Sequence, residues 1–348
     1  MAHSEQSCRR LLLHGVPVEL SCALPWLQEA VEDLLGSFAT DDLPSGGRPI
    51  RVAIEPFAGE DVLRGLSSWA QPLHVPAPMD LYQDGERFWA IDERWGIARM
   101  DLLRGTVRTW LTAAAGRDPR RSAEMGLLWP LAQVVRMRGL HLLPTAAVQR
   151  EGVGVLILAG HELDGELASL LGAGWRIIGA RWTALRGDEE GVELLHMPGS
   201  LKRGSARNWA SDVRLCSPWR DYLIASGACW HDAAACRYVV IAGRAWLGPA
   251  RIRPVRGSLA LSALRRAWPI EPLHPATRRC SVPHLLAGTC GIFAAELDGR
   301  ASTLALLLDA MEGCRGQSSC AQVVLPNRSQ RQRATVRLAG SAAAGIPG

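Results

Sequence analysis

The segment LPTAAVQREGVGVLILAGHELDGELASLLGAGWRIIGARWTALRG, residues 143–187, decides how this chain is read. TAAVQREGVGVLILAG has the form of a strand, a turn and a second strand, and VGVLIL within it is a continuous apolar run suited to burial on both faces of a sheet. HELDGELASLLGAGW follows as a helix, expected to close at Gly172 and Gly174. RIIGARWTALRG then returns to a strand. Strand, turn, helix and strand in that order form a βαβ unit, the setting in which phosphate-binding loops are found.

A working phosphate-binding loop reads GxxxxGK[ST] between a buried strand and a helix. Its amides cradle the phosphates, its lysine compensates their charge and its hydroxyl holds magnesium. Gly160 and Gly165 have that spacing, directly after VGVLIL and directly before the helix. In a chain with 35 glycines the spacing alone arises by chance, so its place between strand and helix carries the weight. The next two positions are Glu166 and Leu167. A carboxylate where the ammonium belongs repels the β- and γ-phosphates, and leucine offers magnesium no oxygen.

Working outward, EMGLLWPLAQVVRMRGLHLLP (124–144) is a strongly apolar helical run ending in a Gly and a Pro. GRDPRRSAE (116–124) before it is the expected boundary between a small α/β module over 1–120 and a core over 121–313. In the first module HGVPVEL alternates as a short strand, and LPWLQEAVEDLLGSF has helical apolar spacing at Leu24, Leu27, Val31, Leu34 and Leu35. IRVAIEP reads as a strand, and RFWAIDERWGIARMDLLRGTVRTWL as short strands joined by turns. Residues 314–348 lose periodicity and gain Gly, Ser, Gln and Arg, an expected disordered tail apart from pairing by AQVVLP or ATVRLA.

Composition narrows the function classes. The 48% hydrophobic and 21% charged residues suit a folded globular chain. The net charge of +5 comes from arginines spread along the chain. Only Arg328, Arg331, Arg333 and Arg337 cluster, which is too sparse for a duplex footprint, so no nucleic-acid partner is expected. Tryptophans 209, 219, 230 and 246 are too irregularly spaced for a base-stacking platform. Neither an export signal nor an apolar run of membrane-spanning length is read, so the expected compartment is the cytoplasm. Nine cysteines without a CxxC pair argue for reduced thiols. Cys229, His231 and Cys236 come nearest to a metal cluster, but no fourth ligand has standard spacing, and buried small hydrophobes are the ordinary reading. His196 and the pair His231-Asp232 stand isolated.

Residues 143–185 resemble the core of the HPr kinase family, in which a strand, a charged turn and a second strand lead into the phosphate loop. The family's helix ends in a phrase like RGWRLLSDD, matched here by AGWRIIGARW, and VELLHMPGSLKRGSARNW (192–209) is similar to the family's strand, proline loop and helix start. The resemblance covers roughly residues 125–312 and is weaker after Arg220. It implies an α/β fold with a mixed central sheet and flanking helices, which follows the α+β N-terminal module read above from its own residues. It also implies losses. The family's histidine falls on Pro144, and its acidic pair, which serves magnesium and the catalytic base, falls on Ala180 and Arg181. With Glu166 and Leu167, four requirements of phosphoryl transfer fail together.

The expectation is therefore a degenerate, non-catalytic relative, a pseudokinase that binds a protein or peptide and takes no cofactor. Relatives accompany peptide-modifying and exopolysaccharide systems, and a homo-oligomer is compatible with the family. The alternative is a serine or peptide kinase, or another transferase, that uses ATP and magnesium at a non-standard site. Its catalytic candidates are His161, Asp164, Glu166 and Arg181, and its nucleotide-binding candidates are Gly160, Gly165, Glu166, Leu167, Lys202 and Arg203. The acidic loop, which also contains Glu162, could take a cation or an amine in place of a phosphate.

Overall fold

The computed structural model describes residues 8–44, 47–59, 62, 64–73, 79–159, 163–188, 190–197, 233–244, 250–267, 282–298, 300, 302–313 and 323–324. These build an α/β protein with two mixed sheets. The first sheet uses β1 (Cys8–Leu13), β2 (Val16–Cys22), β3 (Ile50–Pro56), β4 (Gln71–Leu73), β5 (Asp80–Asp84), β6 (Arg87–Asp92), β7 (Gly96–Asp101) and β8 (Thr106–Leu111). Their order is β1-β2-β3-β8-β7-β6-β5-β4, with β2, β3 and β8 parallel and the other pairings antiparallel. Helix α1 (Gln28–Leu35) makes the crossover from β2 to β3 and buries Val31, Leu34 and Leu35, three of the expected apolar positions.

The run after β8 is one continuous helical stretch. It comprises α2 (Pro119–Ala123), a wide π turn (Glu124–Leu128), α3 (Trp129–Val135) and a closing 3-10 turn (Arg136–Arg138). Asp118 caps it by accepting from the Arg121 amide at 3.0 Å. Every residue from Ser122 to Arg136 is buried, as an all-round apolar helix requires. Its core is shared: Leu127, Leu131 and Val135 join Val52, Ile54, Ala98 and Val107 of the first sheet and Leu140, Leu142, Ala184 and Leu195 of the second.

Pro130 explains the wide turn. Proline has no amide hydrogen to give to the carbonyl four residues back, which is Gly126. The Thr109 hydroxyl on β8 donates to that carbonyl instead, at 2.7 Å. So close an approach needs glycine, because a Cβ on Gly126 would come within 2.9 Å of Leu111 Cδ2 and 3.2 Å of Thr109 Cγ2.

The helix stops at Arg138, short of the Pro expected to end it, and LHLL becomes β9 (Leu140–Leu143). Gly139, at φ 76°, turns the chain. The second sheet continues with β10 (Ala146–Arg150), β11 (Val153–Ala159), α4 (Asp164–Gly172), β12 (Arg176–Gly179), β13 (Thr183–Gly187), β14 (Val192–Leu195) and β15 (Ala233–Arg244). It is completed by β16 (Arg251–Pro254), α5 (Gly257–Ala267), α6 (Val282–Thr289), β17 (Gly291–Leu297), α7 (Ser302–Gly313) and β18 (Val323–Val324).

The order is β12-β10-β11-β15-β14-β13-β9, and β17 continues the sheet along the later part of β15. β11, β15 and β17 run parallel at its centre. β10 lies antiparallel between β11 and β12, so β11-α4-β12 is a crossover that passes one strand. RIIGARWTALRG forms two strands, not the single expected one. The chain folds back at Gly179, where a Cβ would collide with the Trp182 carbonyl at 2.3 Å. In the tail, Val323–Val324 of AQVVLP pair with β16; residues 325–348 lie outside the described part.

Candidate functional site

The candidate site is the turn from β11 into α4. β11 places Val155 and Ile157 in the core on one side of the sheet and Leu156 and Leu158 on the other, which fixes where the strand delivers the chain. Gly160, His161 and Glu162 lie outside the described residues, as do Lys202 and Arg203. α4 begins with Asp164, Gly165, Glu166 and Leu167. Leu167, one of the expected nucleotide-loop positions, is fully buried in a cluster with Leu163, Leu170 and Trp175 and is a core side chain. Asp164 is also buried, while Gly165 and Glu166 are half-buried. The two carboxylates in the first turn face the positive end of the helix, where they are favourable to α4 and unfavourable to a phosphate.

The far end of α4 is a Schellman closure. Gly174, at φ 83°, donates to the Leu171 carbonyl, and Trp175 donates to Leu170, each at 3.0 Å. Gly174 makes the closure, and Gly172 is the last helical residue.

Arg181 faces a carboxylate from the preceding helix. Its Nη1 lies 3.5 Å from Glu124 Oε1, on the π turn of the preceding helix. Arg120 Nε lies 3.7 Å from the same oxygen, and Arg121 Nη1 lies 3.4 Å from Oε2. Three guanidinium groups thus converge on one buried carboxylate. Burial and the neighbouring Arg181 hold Arg120 below the usual arginine range, while Glu124 and then Asp164 act in the opposite sense. Asp164 at the start of α4 is therefore within electrostatic reach of the same network. Nothing in residues 116–124 signals this as sequence except the oddity of Glu124 at the start of an apolar run, where burial demands a cation.

Pro144 is exposed, and Ala180 is buried. His196 is buried with Nδ1 2.9 Å from the Ile178 carbonyl, a structural placement.

Of the metal candidates, Cys229 and His231 fall outside the described residues. Cys236 is buried on β15, and its Sγ lies 3.6 Å from the Tyr238 carbonyl oxygen. Its neighbour is a residue the sequence reading did not pair with it: Cys290, whose Sγ lies 3.1 Å from the Cys236 carbonyl oxygen. The signal was out of reach, since 54 residues separate the two. Among the described residues no group of three or more His, Cys, Asp or Glu is placed to hold a metal ion. Among the described residues, too, no helix is long and apolar enough to cross a membrane.

No protein-family model matches the chain, and no curated protein sequence matches it. Among solved structures, the Hpr(Ser) kinase/phosphatase from Coxiella burnetii aligns at 9% identity over 50% of this chain and 95% of that one, with a TM-score of 0.27.

Proposed function

We propose that this chain is a degenerate member of the HPr-kinase-like group, which keeps the strand-loop-helix frame of a phosphate-binding loop and works by binding a protein or peptide without transferring phosphate. The observation that carries this reading is the first turn of α4. Asp164 and Glu166 place negative charge where a triphosphate would need positive charge, and Leu167 is committed to the core. Phosphoryl transfer depends on positioning and on charge compensation, and both are reversed here. Arg181, the candidate cation among the described residues, is shared with Arg120 and Arg121 around Glu124.

The N-terminal module is the natural docking surface, with Trp69, 87% exposed, as an anchor of the kind partner surfaces favour. Peptide modification or exopolysaccharide assembly is the context in which such a partner would act.

The kinase alternative draws on one feature, the crowding of Arg120 with Arg181, where Arg120 also feels the charge of Asp164. A phosphate that displaced a carboxylate there would find two guanidinium groups.

Isothermal calorimetry with ATP and ADP, with and without magnesium, separates the two readings. The scaffold reading expects no heat of binding at millimolar nucleotide, and micromolar, magnesium-dependent affinity would sink it. Glu166→Lys tests the frame without disturbing the core, because Glu166 is half-buried whereas Leu167 is not accessible. A gain of nucleotide affinity in that variant places residue 166 beside the former phosphate position, and indifference says that the register of the loop is wrong.

A further inference from the structure

Cys236 and Cys290 meet at the end of the central strands opposite the candidate site. Tyr238 on β15 pairs with Gly291 on β17. Along its other edge β15 takes Gly154 opposite Cys236 but Val155 opposite Tyr238, so Arg237 is the extra residue of a bulge. With Arg237 bulged out, Cys236 stands one pairing step before Tyr238 and Cys290 one step before Gly291, which sets the two cysteines side by side. Neighbouring strands lie about 4.8 Å apart, within the roughly 4.4–6.8 Å between Cα atoms that a disulfide spans. The Cys290 Sγ approaches the Cys236 carbonyl at 3.1 Å, and the Thr289 hydroxyl lies 3.6 Å from Cys290 Sγ. Cys236 is in the core and Cys290 packs against the same cluster while keeping part of its surface open.

We infer that Cys236 and Cys290 form a redox modification site, a dithiol that a peroxide converts into a disulfide joining β15 to the junction of α6 and β17. The open sulfur reacts first. The Cys290 thiolate attacks one peroxide oxygen, the O–O bond breaks, and the leaving oxygen departs as water or alcohol after taking a proton, leaving a sulfenic acid. The Cys236 sulfur then attacks the Cys290 sulfur and expels hydroxide, which leaves as a second water with the Cys236 proton. The two thiols lose two electrons and two protons in all, and the peroxide is the species reduced. The division of labour agrees with the surroundings: the hydrogen bond from Cys236 holds the Cys290 thiol below its ordinary range, while that same contact and burial push Cys236 well up. In a reducing compartment the pair stays open by default, and a bond of this kind reports oxidant.

The site is independent of the function proposed above. Cys236 pairs with Gly154 at the start of β11, whereas the turn into α4 follows Ala159 at its end, opposite Ala242. The test exposes the full chain to hydrogen peroxide, blocks remaining thiols by alkylation, digests it and maps cysteine peptides by mass spectrometry. The expected product is a peptide pair joined through Cys236 and Cys290, two hydrogens lighter than its parts and released by dithiothreitol. In Cys236→Ser the expected product is a Cys290 sulfenic acid captured by dimedone. Three results would overturn the inference: Cys290 still fully alkylated when the exposed Cys8 has been oxidised, Cys290 joined to any other cysteine, or both thiols protected before oxidation by a metal that a chelator removes. The cross-link in the unaltered chain needs no variant to fold, and its outcome is indifferent to whether nucleotide binds.

Discussion

Replacing Glu124 by Gln keeps the shape of the side chain and removes its charge, which leaves three guanidinium groups converging on a neutral amide. The parent distances are 3.5 Å to Arg181, 3.7 Å to Arg120 and 3.4 Å to Arg121. At such separations each pair has a gross attraction of about 4–5 kcal/mol if the effective dielectric is near 20. Most of that is offset by desolvation and by ordering of the side chains. Exposed pairs retain only about 0–1 kcal/mol, whereas truncating one partner of a buried pair costs about 3–5 kcal/mol. The network is intermediate, since the carboxylate is 6% exposed and the arginine side chains are 20%, 31% and 49% exposed. The expected loss is therefore about 2–4 kcal/mol. Urea unfolding followed by tryptophan fluorescence measures it as a lowered midpoint. Because the residual term is repulsion between arginines, the deficit should shrink as salt shortens the screening length from about 10 Å at 0.1 M to about 3 Å at 1 M. A Glu124→Gln variant within about 0.5 kcal/mol of the parent at low salt would refute the assignment of Glu124 as the hub.

Thr109→Val should cost about 1–3 kcal/mol in the same assay, because the Gly126 carbonyl, which Pro130 cannot serve, loses its donor in the core. An unchanged midpoint would mean that another donor takes over. Gly174→Ala should destabilise by about 1 kcal/mol or more, since φ 83° strains any Cβ, and the loss should be read at the α4 amides by hydrogen exchange. Exchange rates in α4 equal to the parent's would contradict the Schellman closure. His141 gives a pH dependence: burial, with help from the Arg136 charge, lowers it to about 4 from an ordinary 6.5. The native protein therefore resists a proton that the unfolded chain accepts. The neutral form's stability is intact above pH 6.5 and is lost as pH falls through 6.5 toward about 4, by up to about 3 kcal/mol. His141→Gln should flatten the stability profile in that window, and an identical slope would show that other groups carry it.

The parts of the fold legible in the sequence were those whose pattern is local. VGVLIL announced a strand buried on both faces, and the spacing of Val31, Leu34 and Leu35 announced a helix, because each pattern lies within a single element. The fold-back at Gly179 was missed because Ile177, Ile178, Trp182 and Ala184 are all buried, so apolar residues lie on both sides of the turn and Arg181 is the one charged residue between them. The end of the long helix was misplaced for a related reason: Leu140 and Leu142 on β9 continue the same core as Leu131 and Val135. The acidic first turn of α4 could be read from its four letters, but the arrangement around it could not. Glu124 and Arg181 lie 57 positions apart in sequence, and only the packing of the buried helix beside the second sheet brings them together.

The central claim is that negative side chains and a core leucine have replaced what once held a triphosphate. A structure determined from crystals soaked in ATP and magnesium tests it most directly. The account predicts no nucleotide density between the end of β11 and the first turn of α4. Density for phosphates clasped by residues 160–167 would contradict it.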